Sequence, residues 1–435
     1  MVQSSKETWS KAVLLDGLKQ YCDAVNDYLP RMSDDVLTSL IAQLPAVSVT
    51  GPRATGKTTT ARRHAATVVR LDREAEAAAF RADPDVALRG LPEPVLLDEW
   101  QEVPGVLGAV KRAVDDEPRP GRYILTGSVR IDLDAQTWPG TGRLVRLPMQ
   151  GLSVREIEGR ARGELFLDRL LRADPETLGP GGPADLADYL NLALRGGFPE
   201  AALRVDGIAR QAWLDSYVDQ LITRDAPTIA GSRDPDRLRR YLEALAINSA
   251  GIVEDKTLYD AAGINQKTAD AYEQLLKNLL ILEALPAWAS NRLSRLIKTP
   301  KSYLVEPSII ASVLRLDQAA LLRDGNLLGR MIDTFVAAQI RPELAVAQSR
   351  PRWYHLRDKN GRHEIDVVIE YGGGRVAGIE IKSTAAPRRD DARHLEWLRD
   401  EVADRFVSGV VLHTGPNAFE LADRIVAAPI STLWK

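Results

Sequence analysis

Apolar residues recur at helical spacing over Asp34–Leu44, predicting a helix that closes an amino-terminal helical segment spanning residues 1–45. From Ala46 to about Arg146 the pattern changes to short, continuously apolar runs separated by helical stretches. Ala46–Thr50, Val68–Leu71, Val95–Leu97 and Tyr123–Leu125 read as strands, and Thr58–Ala66 reads as a helix. Strands that are apolar on both faces predict a parallel sheet covered on both sides by helices, so the fold class is α/β. Residues 147–230 read as mainly helical, with a Gly/Pro break at Gly179–Pro183. Between Arg237 and about Arg315 further helices include a helix-turn-helix pattern, Leu258–Ile264 followed by Gln266–Leu280, with Gly263 in the turn. A helix at Leu328–Ile340 then precedes strands at Trp353–Leu356, Glu364–Glu370, Val376–Lys382 and Gly409–His413.

A chain of 435 residues exceeds one ordinary core and is expected to form about two to four domains. Its 45% hydrophobic and 27% charged residues are the balance of a globular protein. The net charge of −3 confines any nucleic-acid contact to a local patch. Cys22 is the single cysteine, which excludes an internal disulfide and a cysteine-rich metal cluster. Lys6, Glu7, Lys11 and Asp16 interrupt the opening stretch, and no uncharged run is long enough to span a bilayer, so the expected location is the cytoplasm.

Chemistry enters at Gly51-Pro52-Arg53-Ala54-Thr55-Gly56-Lys57-Thr58, which fits the Walker A pattern G-x-x-x-x-G-K-[ST] between a predicted strand and a predicted helix. Glycines let backbone N–H groups curl around phosphate oxygens, Lys57 neutralises β/γ charge, and the Thr58 hydroxyl ligates Mg²⁺. The helix that follows, with Thr59 in its first turn, aims its dipole at the same anion. ATP and Mg²⁺ are the expected ligands.

Val95-Leu96-Leu97-Asp98-Glu99 reads as Walker B: a buried strand ending in two carboxylates, Asp98 to hold Mg²⁺ through water and Glu99 to polarise the attacking water. Thr126 and Ser128 end a third strand and are placed to sense the γ-phosphate; the other reading is a turn-capping pair. Arg53, Arg143 and Arg224 are candidates to neutralise phosphate charge, in cis or from a neighbouring subunit of a homo-oligomer. An arbitrary arginine is more often a surface ion-pair partner.

A second constellation surrounds the turn Gly372–Gly374. A three-residue loop pairing Tyr371 with Arg375 sets Asp366 opposite Glu380, with Lys382 on the same face. Two carboxylates and a lysine there could hold a divalent metal and activate water against a phosphodiester. Equally, Lys382 could simply neutralise both acids. Asp333 is a third carboxylate within reach, or an exposed helix acid. Lys267 and Lys277 on the second helix of the helix-turn-helix are offset by Asp270 and Glu273. Arg292, Arg295, Lys298 and Lys301 form a basic stretch between Glu283 and Glu306 with no acid between them. Four phosphate contacts would give a log-affinity salt slope of roughly −3.6; the alternative is a solvated strand of a packing module.

Together these motifs resemble a prokaryotic family of AAA-type ATP-binding proteins with a carboxyl-terminal domain of unknown function. The resemblance runs through Tyr28-Leu-Pro-Arg31, the Walker A loop, Leu97-Asp-Glu-x-Gln-x-Val-Pro104, Leu125-Thr-Gly-Ser128, Gly142-Arg143 and Leu152-Ser-x-x-Glu156. It continues through Gly196-Gly-Phe-Pro-Glu200, Arg224-Asp225, Glu364-x-Asp366 and Glu380-x-Lys382. It implies an ATPase domain over 46–230 with a helical extension from about 150, a winged-helix segment over 231–326, and an end domain over 327–435 similar to PD-(D/E)XK nucleases. Two departures stand out: Asp333 where the family offers a glutamate, and Trp100 where an aliphatic residue is usual. Two roles follow as expectations, an ATPase associated with nucleic acid or an ATP-controlled switch for a protein partner.

Overall fold

Five strands, β1 (Ala46–Thr50), β2 (Thr67–Arg70), β3 (Val95–Asp98), β4 (Tyr123–Gly127) and β5 (Leu144–Pro148), make a sheet in the order β2-β3-β4-β1-β5. Every neighbouring pair is parallel. The computed structural model describes residues 28–130, 142–172, 175–179, 182, 184–226, 234–291, 299–358 and 361–435. The amino-terminal segment before Tyr28, part of the Gly179–Pro183 break, and Arg292, Arg295 and Lys298 lie outside them. The chain divides into the units Met1–Pro30 and Arg31–Lys435. Of the first, the described residues Tyr28–Pro30 are irregular backbone; all that follows concerns the second.

The continuous apolar runs have the cause expected of them. Leu96 and Ile124 pack on one face with Leu37 and Ala61, while Val95, Leu97, Tyr123 and Leu125 pack on the other with Val106, Val110 and Val114. Each such side chain, fully buried, contributes about 1.5–3 kcal/mol. β5 lies at the sheet edge with Val145 and Arg146 exposed, so its sequence carries no continuous apolar run and predicts no strand. The registers Thr50↔Gly127 and Arg70↔Asp98 bring the carboxyl ends of the strands to one edge. Ligands of open α/β sheets bind beyond that edge.

The middle of the chain is helical: Leu186–Arg195, Gly207–Gln220 running into a π-helical turn at Leu221–Asp225, then Pro235–Ile247, Asp255–Ala262 and Gln266–Asn278. An antiparallel pair, β6 (Leu282–Leu285) and β7 (Lys301–Leu304), follows.

The carboxyl-terminal sheet joins β8 (Arg352–Arg357), β9 (Glu364–Glu370), β10 (Val376–Ile381), β11 (Phe406–His413), β12 (Phe419–Ala422) and β13 (Ile425–Pro429) in the order β12-β13-β11-β10-β9-β8. It is mixed, with β10-β11 and β11-β13 parallel. A helix over Gly325–Val346, longer than expected because it continues through Pro342, covers one face with Ile332, Phe335, Val336 and Ile340. Leu395 and Leu398 of the helix Arg393–Val402 cover the other. That helix, β12 and β13 stand where the sequence predicted no element; β13 is short and alanine-rich, and β12 is a largely exposed edge strand.

The long helix also fastens segments that follow the parallel sheet. Gln339 Oε1 accepts the Val154 N–H at 2.8 Å, and the Glu343 carboxylate accepts the N–H groups of Phe166 and Leu167 at 3.1 and 2.9 Å. Among the described residues no helix is long and apolar enough to cross a membrane.

Candidate nucleotide-binding site

The loop after β1 is built for close backbone approach. A Cβ on Gly51 would lie 1.8 Å from the Met149 carbonyl oxygen, so no side chain fits there. Gly56, with φ of 91°, turns the chain into the helix Lys57–Arg62 through a conformation costly for other residues. Arg31 ties the loop down. Its Nη1 donates to Thr55 O at 2.8 Å, its Nη2 to Gln150 O at 2.7 Å, and its Nε to the buried carboxylate of Glu156 at 2.9 Å. Within the loop, Thr55 Oγ1 donates to Pro52 O at 2.9 Å, and Ala54 takes a positive φ of 60°. Lys57 folds back, its Nζ donating to Pro52 O at 2.7 Å. Burial pushes its pKa down to about 8, against the opposing fields of Glu99 and Asp98.

Asp98 is almost fully buried at the end of β3. Its Oδ1 accepts hydrogen bonds from Thr58 Oγ1 at 2.6 Å and Thr126 Oγ1 at 2.5 Å, so three sequence-predicted residues from three elements meet at one oxygen. Arg70 Nε lies 3.9 Å from Oδ2. Glu99 has a left-handed backbone, φ 54°. Its Oε2 accepts from Gln101 Nε2 and, at 3.2 Å, from Ser128 Oγ. Trp100 is buried in the sheet's core beneath Gly127, which accommodates the departure from an aliphatic residue. Thr59 follows Thr58 on the same short helix.

The three arginines separate. Arg53 stays at the loop, its Nε 3.2 Å from Asp225 Oδ2 and its carbonyl accepting the Tyr217 hydroxyl at 3.4 Å. Both partners come from the helical middle. Arg224, exposed in the π-helical turn, is the neighbour of Asp225. Arg143 does not reach the loop. It precedes Leu144, which pairs with Ala46 at the amino end of the strands, and its Nε donates to Asp115 at 2.8 Å. Five residues of strand, about 16 Å, separate it from the phosphate edge, so an in-cis role for Arg143 is corrected.

Around the β9–β10 hairpin the pairs run from Val376↔Glu370 to Ile379↔Val367, the register the turn demanded, and just beyond them the Asp366 carboxylate accepts the Ile381 N–H at 2.9 Å. The cations are not where they were expected. Lys382 donates to Glu380 Oε2 at 3.1 Å. The cation on Asp366 is Lys301, whose Nζ lies 3.2 Å from Asp366 Oδ1 and 2.5 Å from Asp333 Oδ2. Lys301 is therefore buried, not a solvated member of a basic stretch, and Asp333 is a buried residue, not an exposed helix acid. Among the described residues no group of three or more His, Cys, Asp or Glu is placed to hold a metal ion.

Sequence reasoning assigned no role to Arg31, Gln101, Glu156, Tyr217 or Asp225. Arg31, Gln101, Glu156 and Asp225 stood only in short motifs and Tyr217 in none, and apart from Gln101 beside Glu99 each partner lies far along the chain.

Comparison with known proteins places this geometry in context. Residues 43–158 match the family described as AAA domain. Residues 186–320 and 328–433 match two families described as domains of unknown function, DUF8612 and DUF4143. Two relatives are 26% identical over 398 residues, covering 90% of this chain and 82% of theirs: uncharacterized protein Mb2031c of Mycobacterium bovis and uncharacterized protein Rv2008c of Mycobacterium tuberculosis. Among solved structures, the Walker-type ATPase paby2304 of Pyrococcus abyssi is 15% identical at a TM-score of 0.41, covering 67% of this chain and 97% of that one. Drosophila ORC bound to DNA is 16% identical at 0.23, covering 70% and 92%. The stretch that matches the AAA domain family, residues 43–158, is the one that carries the parallel sheet β2-β3-β4-β1-β5 and the glycine loop after β1.

Proposed function

We propose that the chain hydrolyses ATP in a Mg²⁺-dependent reaction at the carboxyl edge of the parallel sheet. The observation that carries this reading is the meeting of Thr58, Asp98 and Thr126 at one carboxylate oxygen beside the glycine loop. The residues present fit the nucleotide and its metal: a loop with no room for a side chain at Gly51, a lysine held on a loop carbonyl, and a hydroxyl–carboxylate pair. The Thr58 hydroxyl and, through water, Asp98 would hold Mg²⁺ there, and the ion would supply neutralisation of the charge that develops on the phosphates. Because Thr58 gives its proton to Asp98, its oxygen lone pairs are free to face a cation. Lys57 leaves Pro52 O to meet the phosphates. Glu99, steadied on Oε2 by Gln101 and Ser128, orients the attacking water through Oε1. Arg53, on the loop itself, is the candidate to neutralise phosphate charge in cis; Arg143 could act only from a neighbouring subunit.

Lys57 makes the reading pH-sensitive. Its free-state pKa of about 8 must rise when a triphosphate stabilises the ammonium. The nucleotide-bound form then holds more protons above pH 8, so affinity is full below that value and falls as pH rises, by up to about tenfold per unit. Calorimetric titration at pH 8–9 in buffers of different ionisation enthalpy should register proton uptake on ATP binding. No uptake would mean that Lys57 does not face the phosphates.

Of the two roles this activity could serve, specific contacts favour a switch. Arg53 and the loop carbonyl are held by Asp225 and Tyr217, so a loop rearranged by nucleotide must disturb the helical middle. The nucleic-acid role draws on the order of three helices and a β6–β7 hairpin, which suits a winged helix. Against it, Lys277 is half-buried and donates to Glu273 at 2.6 Å, and Lys301 is buried. One experiment tests both: phosphate release from ATP with Mg²⁺ or with EDTA, each with and without single- and double-stranded DNA and RNA, the nucleic acid then being examined for cuts. Turnover lost in EDTA and unmoved by nucleic acid is the expected result. Turnover insensitive to EDTA would sink the ATPase reading, and stimulation or cutting would return the nucleic-acid role.

A further inference from the structure

The acidic face of the carboxyl-terminal domain, whose nuclease-like chemistry would call for a divalent metal, is filled by a lysine from another part of the chain. Lys301 opens β7 in the hairpin of the helical middle, and its side chain is 3% exposed. Its ammonium reaches Asp333 Oδ2 at 2.5 Å and Asp366 Oδ1 at 3.2 Å. The second oxygen of each acid is also taken: Asp333 Oδ1 accepts the Tyr303 hydroxyl at 2.9 Å, and Asp366 Oδ2 accepts the Ile381 N–H at 2.9 Å. Glu380 gives Oε2 to Lys382, while its Oε1 is buried with no hydrogen-bond partner.

This donor set does not fit a divalent ion. Both oxygens of Asp333 and both of Asp366 already receive donors from the chain, and a metal between these acids would sit a few ångströms from a buried ammonium, where like charges repel strongly. Burial alone would lower the Lys301 pKa, but Asp333, with Tyr303 and Asp366, raises it well above its ordinary value, so the cation persists at neutral pH.

The hairpin is fastened at more than this point. Trp288 N donates to His355 O at 2.6 Å, and His355 N donates to Pro286 O at 3.0 Å, so residues 286–288 run along the edge strand β8. His355 Nε2 lies 3.0 Å from Thr299 O, and Arg341 of the long helix donates to Val305 O at 2.9 Å. Pairing there also covers a sheet edge that would otherwise be open to other strands.

We infer that Lys301 is the resident cation of this acidic face, so that the docked hairpin excludes divalent metal and the face serves as an anchor joining the helical middle to the carboxyl-terminal domain. The lysine acts here as a registry device: it neutralises two acids only when β7 lies in this place. The inference is independent of ATP hydrolysis at the sheet edge.

The test is the Asp366-dependent part of Mn²⁺ binding by the full-length chain, taken as the difference between a protein and its Asp366→Asn counterpart in an electron-paramagnetic-resonance titration. The difference cancels metal bound at the P-loop. In the wild type it is expected to be zero. In Lys301→Met, which keeps the apolar stem and removes the charge, Asp366-dependent binding should appear at least about tenfold tighter than any wild-type trace. Mn²⁺ should also raise the melting temperature of Lys301→Met more than that of the wild type. Asp366-dependent binding in the wild type equal to that of the variant would overturn the inference. So would a folded Lys301→Met that gains none. Should the variant fail to fold, the wild type against Asp366→Asn decides alone, equal Mn²⁺ responses supporting the lysine and unequal ones refuting it.

Discussion

Glu99→Gln is expected to leave ATP bound and to slow its hydrolysis by about 10²–10⁴-fold, the usual contribution of a positioned general base. Glutamine matches glutamate in shape, and its side-chain oxygen can still accept from Gln101 and Ser128, so the local fold should survive. What disappears is the carboxylate able to take a proton from water. Glu99 is held in a left-handed backbone immediately after Asp98, which aims its side chain independently of the strand's alternation. Single-turnover phosphate release beside equilibrium nucleotide binding separates the two effects. A variant with wild-type turnover would move the base elsewhere, Asp225, paired with Arg53 of the loop, being the next candidate.

Lys57→Ala should act earlier, on binding itself. Removing one member of a buried charge pair costs about 2–5 kcal/mol, which corresponds to a loss of affinity of roughly 30-fold to several thousand-fold. The free protein should tolerate the change. Lys57 is nearly buried, yet its hydrogen bond in the free loop is to Pro52 O, an oxygen that Thr55 Oγ1 also serves at 2.9 Å. Burial already opposes its charge, so truncation removes a cost from the free state as well as a contact from the bound one. Fluorescence titration with a labelled ATP analogue, alongside a melting curve for each protein, reads the two consequences separately. Unchanged affinity in a folded variant would detach the loop from the phosphates.

Much of this site lay open in the amino-acid order. The loop from Gly51 to Thr58 and the strand ending in Asp98 are patterns of neighbours, and neighbours fix backbone turns and strand ends. The hairpin register from Val376↔Glu370 to Ile379↔Val367 was equally legible, because a short glycine turn leaves the two strands little choice of alignment. The place of Arg143 in the fold was not legible, for the opposite reason. β5 is an exposed edge strand without a continuous apolar run, so neither its existence nor the end of it that Arg143 occupies could be inferred.

By itself, then, the sequence determined a phosphate-binding loop, a carboxylate at a strand tip and the turn between β9 and β10, all set by residues within about ten positions of one another. Only the tertiary structure decided what braces them. Arg31 meets Glu156 across 125 positions, Tyr217 meets Arg53 across 164, and Lys301 meets Asp366 across 65. Side chains so far apart along the chain are brought together by packing of the apolar faces, and the burial that follows selects which charges must pair. A lysine in a basic run and an acid on a helix carry no mark of each other until the hairpin docks on the sheet.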